Sequence, residues 1–200
     1  ARAWTPRGFP SAISDMIVVG RSLETIPLGA DQSAPARSAD PAFDRQIRAL
    51  GPDGQERLRR AAVGIVGVGG TSSATAEQVA RLGVEDIVLI DKDCFEPSNL
   101  TRMYGSFSAD TARPRFAPAF RCRRNRLKVD IVAKHIARIN PRARILPVHG
   151  HVASTSVVGH LLDRAVIFCC TDDHWGLSVV NQIAYQYMIP VINMGVRIDA

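Results

Sequence analysis

One segment of the chain, residues 62–91, constrains its fold more than any other. The segment begins with an apolar run, Ala62 to Val68, that is rich in the β-branched residues typical of a buried strand. A cluster of glycines at the end of this run lets the chain turn tightly and lets its backbone approach a ligand closely. The members of this cluster are Gly67, Gly69 and Gly70. The sequence therefore predicts a strand that leads into a sharp turn.

A helix and a second strand follow these glycines. The helix is predicted over residues 71–82, and the strand over residues 86–91, which ends in Asp91. In such a βαβ unit the N–H groups at the start of the helix attract phosphate, and the acid at the end of the second strand accepts hydrogen bonds from a ribose. Ser72 replaces the third glycine of the dinucleotide-binding pattern and adds a side chain where helix and strand pack closely. We expect a nucleotide site here; a tight turn without a ligand is the alternative.

Strands alternate with helices along the rest of the chain. Before the first strand, Gly51 and Pro52 break a helical segment in two. The later helices are predicted over 127–139, 155–162 and 177–188, and the later strands over 145–148, 165–170 and 190–196. This order predicts an α/β, Rossmann-like fold with a mostly parallel sheet and helices on both faces. The ligand should lie beyond the carboxyl ends of the strands, where the glycines, Asp91 and Asp172 fall.

Length and composition limit the number of domains and the cellular compartment that we expect. The 200 residues suit one domain and a tail. No apolar run approaches the roughly 20 residues that span a bilayer, so we expect no membrane partner. The four cysteines form no CxxC pair, which favours a reducing, cytoplasmic location and argues against a zinc site within this chain.

The positive charge is concentrated in one stretch. The chain carries a formal net charge of +6, and residues 113–128 contain Arg113, Arg115, Arg121, Arg123, Arg124, Arg126 and Lys128 with no acidic residue. A solvated basic loop is the simplest interpretation. The alternative is a surface that binds anions, such as ATP phosphates, an acidic protein tail or RNA.

Residues 1–40 differ in composition from the rest. They contain a predicted strand at 16–19, followed by a segment, 29–41, dense in Ala, Ser, Pro and Asp. We expect residues 1–40 to be a tail and linker, or the end of a preceding module, and residues 41–200 to form the nucleotide-binding domain.

Four further motifs accompany the βαβ unit. The second strand continues into DxDxxxxSNLxR, residues 91–102, a pattern that dehydrogenases do not need. Arg45 and Gln46 precede the glycine cluster, Ile139-Asn140-Pro141 ends a helix, and Cys170-Thr171-Asp172-Asp173 follows a strand. With these motifs, residues 43–200 resemble the ThiF/MoeB/HesA superfamily, the fold of ubiquitin-activating enzymes.

The resemblance implies a reaction. Members of this superfamily use Mg²⁺ and ATP to adenylate a carboxylate, releasing pyrophosphate. The acceptor it implies is the C-terminus of a ubiquitin-like or sulfur-carrier protein, and the expected assembly is a homodimer. The later strands of the family fold are missing from this chain, so we expect its C-terminal part to be absent.

The resemblance also assigns roles to residues. It implies that the three glycines hold the phosphates, that Asp91 binds the ribose, and that Asp93 and Asn99 lie near the phosphates or the metal. It implies that Arg102 contacts the phosphates, that Asp172 binds Mg²⁺, and that Arg45 reaches the phosphates, often of the other subunit. Catalytic roles are therefore expected for Arg45, Arg102, Lys128 and Asp172.

Two basic residues compete for the lysine that the family places on the phosphates. Lys128 stands at the family's distance before Ile139-Asn140-Pro141, whereas Arg115 stands at its distance after Arg102. We favour Lys128, because register along a helix is stiffer than loop length. Leu177 stands where relatives commonly carry an arginine.

Three other functions remain open. A tRNA-modifying relative, similar to threonylcarbamoyladenosine dehydratase, would use the basic stretch to bind RNA. A nicotinamide- or flavin-dependent oxidoreductase shares the βαβ unit, and a non-catalytic nucleotide-binding scaffold is consistent with the departures from the family pattern. His149-Gly150-His151 is interpreted as a strand edge rather than a metal-binding pair.

Overall fold

The computed structural model describes residues 2–4, 10–12, 15–19, 23–27, 40–111 and 127–194. The chain divides into two compact units, residues 1–39 and 40–200. Most of the basic stretch, including Arg115, and most of the predicted linker at 29–41 lie outside the described residues.

The first unit contains two antiparallel strand pairs. β1 (Arg2–Trp4) pairs with β2 (Pro10–Ala12), and β3 (Asp15–Val19) pairs with β4 (Leu23–Pro27). The strand predicted at 16–19 therefore lies within β3, and the other three strands were not predicted from the sequence.

The second unit alternates helices and strands. Its elements, in chain order, are α1 (Asp44–Arg60), β5 (Ala62–Val66), α2 (Gly70–Arg81), β6 (Asp86–Asp91), α3 (Ser108–Thr111), α4 (Lys128–Ile139), β7 (Arg144–His149), α5 (Thr155–Val158), β8 (Val166–Cys169), α6 (His174–Tyr187) and β9 (Val191–Asn193). Three short 3₁₀ helices at Pro41–Phe43, Pro97–Asn99 and Gly159–Leu161 complete the regular structure of its described residues.

The strands of the second unit form one five-stranded sheet in the order β7-β6-β5-β8-β9. All four pairings are parallel, so every carboxyl end lies at the same edge of the sheet. β5 lies at the centre, where Val63 pairs with Ile87 of β6 on one side and Val166 of β8 on the other. The predicted α/β, mostly parallel architecture is confirmed.

Two apolar clusters cover the two faces of this sheet. Ile65 and Leu89 pack on one face against α2 and α4, whereas Val66 and Ile90, the next residues along the same strands, pack on the other face against α6. Side chains alternate between faces along a strand, so β5 and β6 must be apolar along nearly their whole length. The predicted placement of helices on both faces is confirmed.

Several element boundaries differ from the sequence predictions. α1 runs across residues 44–60 but contains a break at Gly51 (φ 75°), as the Gly51-Pro52 pair predicts. The segment after Arg102, where no helix was predicted, contains α3. α6 begins at His174, three residues earlier than predicted, because the Asp173 carboxylate accepts hydrogen bonds from the first N–H groups of the helix.

Among the described residues, we find no helix with the length and apolar character needed to cross a membrane.

Candidate active site

The carboxyl ends of β5, β6 and β8 open into one cleft of about 630 Å³, a size typical of small-molecule sites. The cleft is lined by nine of the ten residues to which the sequence assigned a site role. They are Gly67, Gly69, Gly70, Asp91, Asp93, Asn99, Arg102, Lys128 and Asp172. The tenth, Arg45, is exposed on α1 and is not among the described residues that line the cleft.

Gly67 fixes the turn at the end of β5. Its φ is 82°, and a Cβ added there would lie 2.9 Å from the backbone nitrogen of Thr171. Its own N–H donates to the carbonyl oxygen of Ile90 at 2.8 Å. The turn is therefore held between the ends of β6 and β8, and only glycine fits there.

The start of α2 faces the cleft with little to cover it. A Cβ at Gly69 would meet nothing within 4 Å, so open space lies over the backbone at this point. The N–H groups of Gly70 and Thr71, in the first turn, have no acceptor within the helix. Both residues line the cleft, so this end of α2 can receive a phosphate.

Ser72 fits into the structure without crowding. Its side chain is buried, and its Oγ accepts a hydrogen bond from the Gly69 nitrogen at 2.6 Å. The serine that replaces the third glycine thus caps the helix start and draws the Gly69 N–H towards itself.

Asp91 holds the glycine turn against β6. Its carboxylate accepts hydrogen bonds from the backbone nitrogens of Val68 and Asp93, the latter at 2.6 Å, and its side chain is almost fully buried. Each carboxylate oxygen has a second lone pair, so binding a ribose hydroxyl remains compatible with these contacts.

Lys128 forms an ion pair across the cleft. Its Nζ lies 2.9 Å from the Asp93 carboxylate, and its side chain is 13% exposed against 51% for Asp93. Its backbone nitrogen also donates to the Asp93 carbonyl oxygen at 3.3 Å. The start of α4 is therefore held beside the end of β6, which places a cation in the cleft.

Asn99 and Arg102, in the segment that follows β6, also line the cleft. The buried Asn99 Oδ1 accepts a hydrogen bond from the Glu96 nitrogen at 2.9 Å, which stabilises the short helix at Pro97–Asn99. Arg102 is exposed, and its backbone packs against Gly70, where an added Cβ would lie 3.3 Å from the Arg102 carbonyl oxygen. This segment contributes Arg102, the second predicted cation of the cleft.

Asp172 and Asp173 follow β8 and differ in their contacts. Asp173 caps α6, accepting from Trp175 N at 3.4 Å and from Gly176 N at 3.2 Å. Asp172 is exposed in the cleft, and no hydrogen bond or ion pair to it is found in the described part of the chain. The helix-cap role therefore belongs to Asp173, which leaves Asp172 available to a ligand.

His151 is a cleft residue that the sequence analysis did not assign to the site. Its Nε2 lies 2.5 Å from Asp173 Oδ2, and this hydrogen bond is the largest of the effects that lower the pKa of Asp173. His149, by contrast, lies outside the cleft and contacts the carbonyl oxygen of Lys92. In the sequence, His149 and His151 flank a glycine and nothing distinguishes one from the other. Only the contact of His151 with Asp173, seen in the structure, gives the two histidines different roles.

The cysteines at the end of β8 are poor nucleophiles. Burial raises the pKa of Cys169, and it raises the pKa of Cys170 to about 12. Both side chains are therefore neutral thiols at neutral pH, even though Cys170 lines the cleft. Packing is the role that the structure supports for them.

The helix that carries Arg45 docks on the far end of α2. Gln46 Nε2 donates to the Arg81 carbonyl oxygen at 3.2 Å, and Gln55 Nε2 donates to that of Leu82 at 2.9 Å. These contacts satisfy carbonyl groups that lack partners at a helix end. They position α1 at the carboxyl end of α2, whereas the cleft lies at its amino end.

The groups that line the cleft are of the kinds that bind a magnesium nucleotide. It combines an open helix start, two predicted cations and one carboxylate without a partner in the described part of the chain. Mg²⁺ is usually held by one or two carboxylates together with phosphate oxygens. No cluster of three or more His, Cys, Asp or Glu side chains suitable for a metal is found in the described residues.

Comparisons with known proteins agree with this architecture. The sequence pattern of the ThiF family matches residues 43–198. The molybdopterin-synthase adenylyltransferase of Salmonella typhimurium is 31% identical over 156 residues, covering 76% of this chain and 56% of that protein. The tRNA threonylcarbamoyladenosine dehydratase of Bacillus subtilis is 34% identical over 104 residues, covering 52% of this chain and 36% of that protein.

A solved structure shows the same fold. The E. coli tRNA N6-threonylcarbamoyladenosine dehydratase, in complex with ATP, matches with a TM-score of 0.66 at 23% identity, covering 79% of this chain and 61% of that one. This chain spans 56% and 36% of the length of the two curated relatives. Because the family pattern extends over nearly all of the second unit, the chain belongs to the ThiF family.

Proposed function

We propose that residues 41–200 form an adenylating domain that uses Mg²⁺ and ATP to activate a carboxylate. The observation that carries this proposal is the grouping of a glycine turn, two cations and an exposed carboxylate, Asp172, in one cleft. These groups come from the ends of three parallel strands and the segments that follow them, where α/β folds bind their ligands.

The chemistry requires positive charge more than it requires a protein nucleophile. A carboxylate oxygen of the acceptor attacks the α-phosphorus of ATP, the bond from that phosphorus to the bridging oxygen breaks, and pyrophosphate leaves. Negative charge develops on the phosphoryl oxygens and on the leaving group, so fixed cations beside them accelerate the reaction. Lys128 and Arg102 are the residues proposed for this role.

Asp172 is the residue proposed to hold Mg²⁺, together with phosphate oxygens of ATP. When bound, the cation neutralises phosphate charge and thereby favours departure of pyrophosphate. The same cleft explains why Lys128 rather than Arg115 is proposed for the family lysine: its ammonium group already lies against Asp93 in the cleft.

The proposed acceptor is the C-terminal carboxylate of a ubiquitin-like or sulfur-carrier protein. The relative from Salmonella, whose name gives a protein, molybdopterin synthase, as its target, aligns over 76% of this chain. The relative that acts on tRNA aligns over 52%. The longer alignment favours a protein acceptor, and a carboxylate on a tRNA nucleoside is the second candidate.

Three further features belong to the proposal. Residues 1–40 precede the family match, which begins at 43, and are proposed to be a linker or the end of another module. Arg45 is proposed to reach the cleft of a second copy in a homodimer, since it does not line its own. Free thiols at Cys94, Cys169 and Cys170 are in keeping with a cytoplasmic location.

The proposal is tested by ATP–pyrophosphate exchange with Mg²⁺ and candidate ubiquitin-like proteins that end in a free glycine carboxylate. We expect exchange in the full chain, abolished in Asp172→Ala and reduced about a hundredfold in Lys128→Ala. Arg115→Ala tests the competing assignment and should leave exchange intact. Arg48→Ala, which removes an exposed arginine of α1 that pairs with Asp44, is the control for general loss of charge.

The outcomes separate the candidates. Exchange that requires both the protein acceptor and Asp172 supports the proposed function. Exchange that appears only with tRNA as acceptor supports the tRNA-modifying candidate, and ATP binding without exchange supports a scaffold. Binding of NAD instead of ATP would revive the oxidoreductase interpretation and overturn the proposal.

A further inference from the structure

A histidine–aspartate pair lies beside the proposed magnesium ligand. His151 Nε2 and Asp173 Oδ2 are 2.5 Å apart, and both side chains are 29% exposed at the wall of the cleft. His151 lies in the loop after β7, whereas Asp173 follows β8. The pair thus connects the segments that follow β7 and β8, two strands that are not neighbours because β6 and β5 lie between them in the sheet.

The contacts of the imidazole define its protonation pattern. Its Nδ1 accepts a hydrogen bond from the backbone nitrogen of Ala153 at 3.1 Å. Nδ1 therefore carries no proton, so the ring proton is on Nε2 and is donated to the Asp173 carboxylate. Both ring nitrogens are engaged, and the ring bridges its own loop to Asp173.

Asp173 in turn holds the backbone that carries Asp172. Its Oδ2 accepts from Gly176 N as well as from His151, and its own N–H donates to Thr171 Oγ1 at 3.1 Å. On the other side of Asp172, Cys170 N donates to the carbonyl oxygen of Val66 at 2.8 Å. The backbone is fixed on both sides of Asp172, while its carboxylate makes none of the described contacts.

The two segments also pack closely. Gly176, in the first turn of α6, is buried, and a Cβ added there would lie 3.1 Å from Val152 and 3.3 Å from Asp173 Oδ2. Val152 is itself buried. A shift of the loop after β7 would therefore be transmitted to the turn that contains Asp172 and Asp173.

From these contacts we infer that His151 is a positioning residue, which acts through Asp173 to hold Asp172 where it binds the divalent cation. The inference rests on the proposed role of Asp172. Hydrogen bonds from groups behind a metal ligand restrict its orientation, and their loss typically lowers metal affinity about 10- to 100-fold. A purely structural role of His151 would lower stability without changing the dependence of nucleotide binding on metal.

The experiment measures the affinity for α,β-methylene-ATP, an analogue that cannot release pyrophosphate, by calorimetry in EDTA and in Mn²⁺. The ratio of the two affinities reports the metal contribution without turnover. We expect His151→Leu to reduce this ratio about tenfold, with unchanged affinity in EDTA. His151→Gln keeps a donor at a similar position and should restore most of the ratio. His149→Leu removes the neighbouring histidine, which lies outside the cleft, and is the matched control.

Asp172→Asn separates this inference from the proposed function. If Asp172→Asn loses the metal effect and His151→Leu keeps it, the positioning role is overturned and the proposed function stands. If Asp172→Asn keeps the metal effect, the proposed metal site is wrong and the positioning role falls with it. Thermal unfolding by circular dichroism checks that each variant is folded. If His151→Leu is not folded, Asp173→Asn is measured in its place, because an asparagine can still cap α6. The same reduction of the affinity ratio is expected for this variant.

Discussion

Gly67 is required both for the turn after β5 and for the shape of the cleft. An added methyl group would lie 2.9 Å from Thr171 N, and the φ of 82° is unfavourable for any other residue. We expect Gly67→Ala to destabilise the protein by roughly 1–3 kcal/mol and to disturb ATP binding, because the turn must move away from β8. Urea denaturation measures the first effect, and calorimetry with ATP measures the second.

Gly69 provides the matched comparison two residues further on. A Cβ there meets nothing within 4 Å, so Gly69→Ala should leave the unfolding free energy nearly unchanged. If phosphate occupies the open space, the same methyl group should still weaken ATP binding. Equal ATP affinity in Gly69→Ala and the parent protein would show that the nucleotide does not approach this part of the turn.

For single residues, the sequence predicted which side chains line the cleft more successfully than it predicted which of them contact each other. The sequence favoured Lys128 over Arg115 from helix register alone, because each of the two residues matches one of the family's two distances; in the structure Lys128 lies in the cleft, in contact with Asp93. His151 was passed over because a histidine pair after a strand has no local signal for function. Its partner, Asp173, is 22 residues away in the chain.

At the scale of elements, a cluster of charged side chains ties α1 to the start of β6. Arg59 contacts Glu56, one turn earlier in α1, at 2.5 Å, and it contacts Glu85 at 2.7 Å. Arg60 also contacts Glu56. Hydrogen bonds from Arg59, and then from Arg60, outweigh the effect of burial and lower the pKa of Glu56 to about 2.

This pKa predicts how the stability contribution of Glu56 depends on pH. The folded protein binds the Glu56 proton more weakly than the unfolded chain, whose pKa is near 4.5. The contribution is therefore complete above about pH 5 and is lost as the pH falls towards 2. We expect Glu56→Gln to lower the unfolding free energy by about 1–2 kcal/mol at pH 7, and the difference from the parent to shrink on acidification.

Urea denaturation at pH 7, 5 and 3.5 measures this difference. Asp44→Asn, which removes the exposed pair with Arg48, should change stability little at any of these pH values and is the control. A Glu56→Gln effect of constant size from pH 7 to 3.5 would contradict the argument.

Element boundaries were less predictable from the sequence than element order. Apolar runs located β5, β6 and β8, and helical periodicity located α2 and α4, because these elements carry buried apolar side chains. The earlier start of α6 depends on Asp173 as a cap, which is fixed by a distant histidine. The short α3 is held by the Asp110 carboxylate, which accepts from Phe107 N at 2.8 Å, a local contact too small to produce a periodic signal.

At the scale of the whole molecule, Arg45 gives a test of the proposed homodimer. If it acts on the cleft of a second copy, Arg45→Ala and Asp172→Ala damage each site through different subunits. Mixing the two inactive variants should then restore about a quarter of the parent exchange activity, because half of the dimers are mixed and each has one intact site. Exchange of subunits is checked by size-exclusion chromatography of differently tagged chains. Mixed dimers without activity would contradict a role for Arg45 in the cleft of the second copy.

The position of β5 also has a consequence for the order in which the protein folds. On the ribosome, β5 meets its first neighbour within about 25 residues, as β6 emerges, but its second neighbour, β8, arrives only about 100 residues after β5. Until then one edge of this central, apolar strand lies open to other chains. The cleft needs β8 as well as β5 and β6, so nucleotide affinity would arise late in synthesis. Measuring ATP binding by chains of increasing length would therefore show when β8 pairs with β5 and completes the cleft.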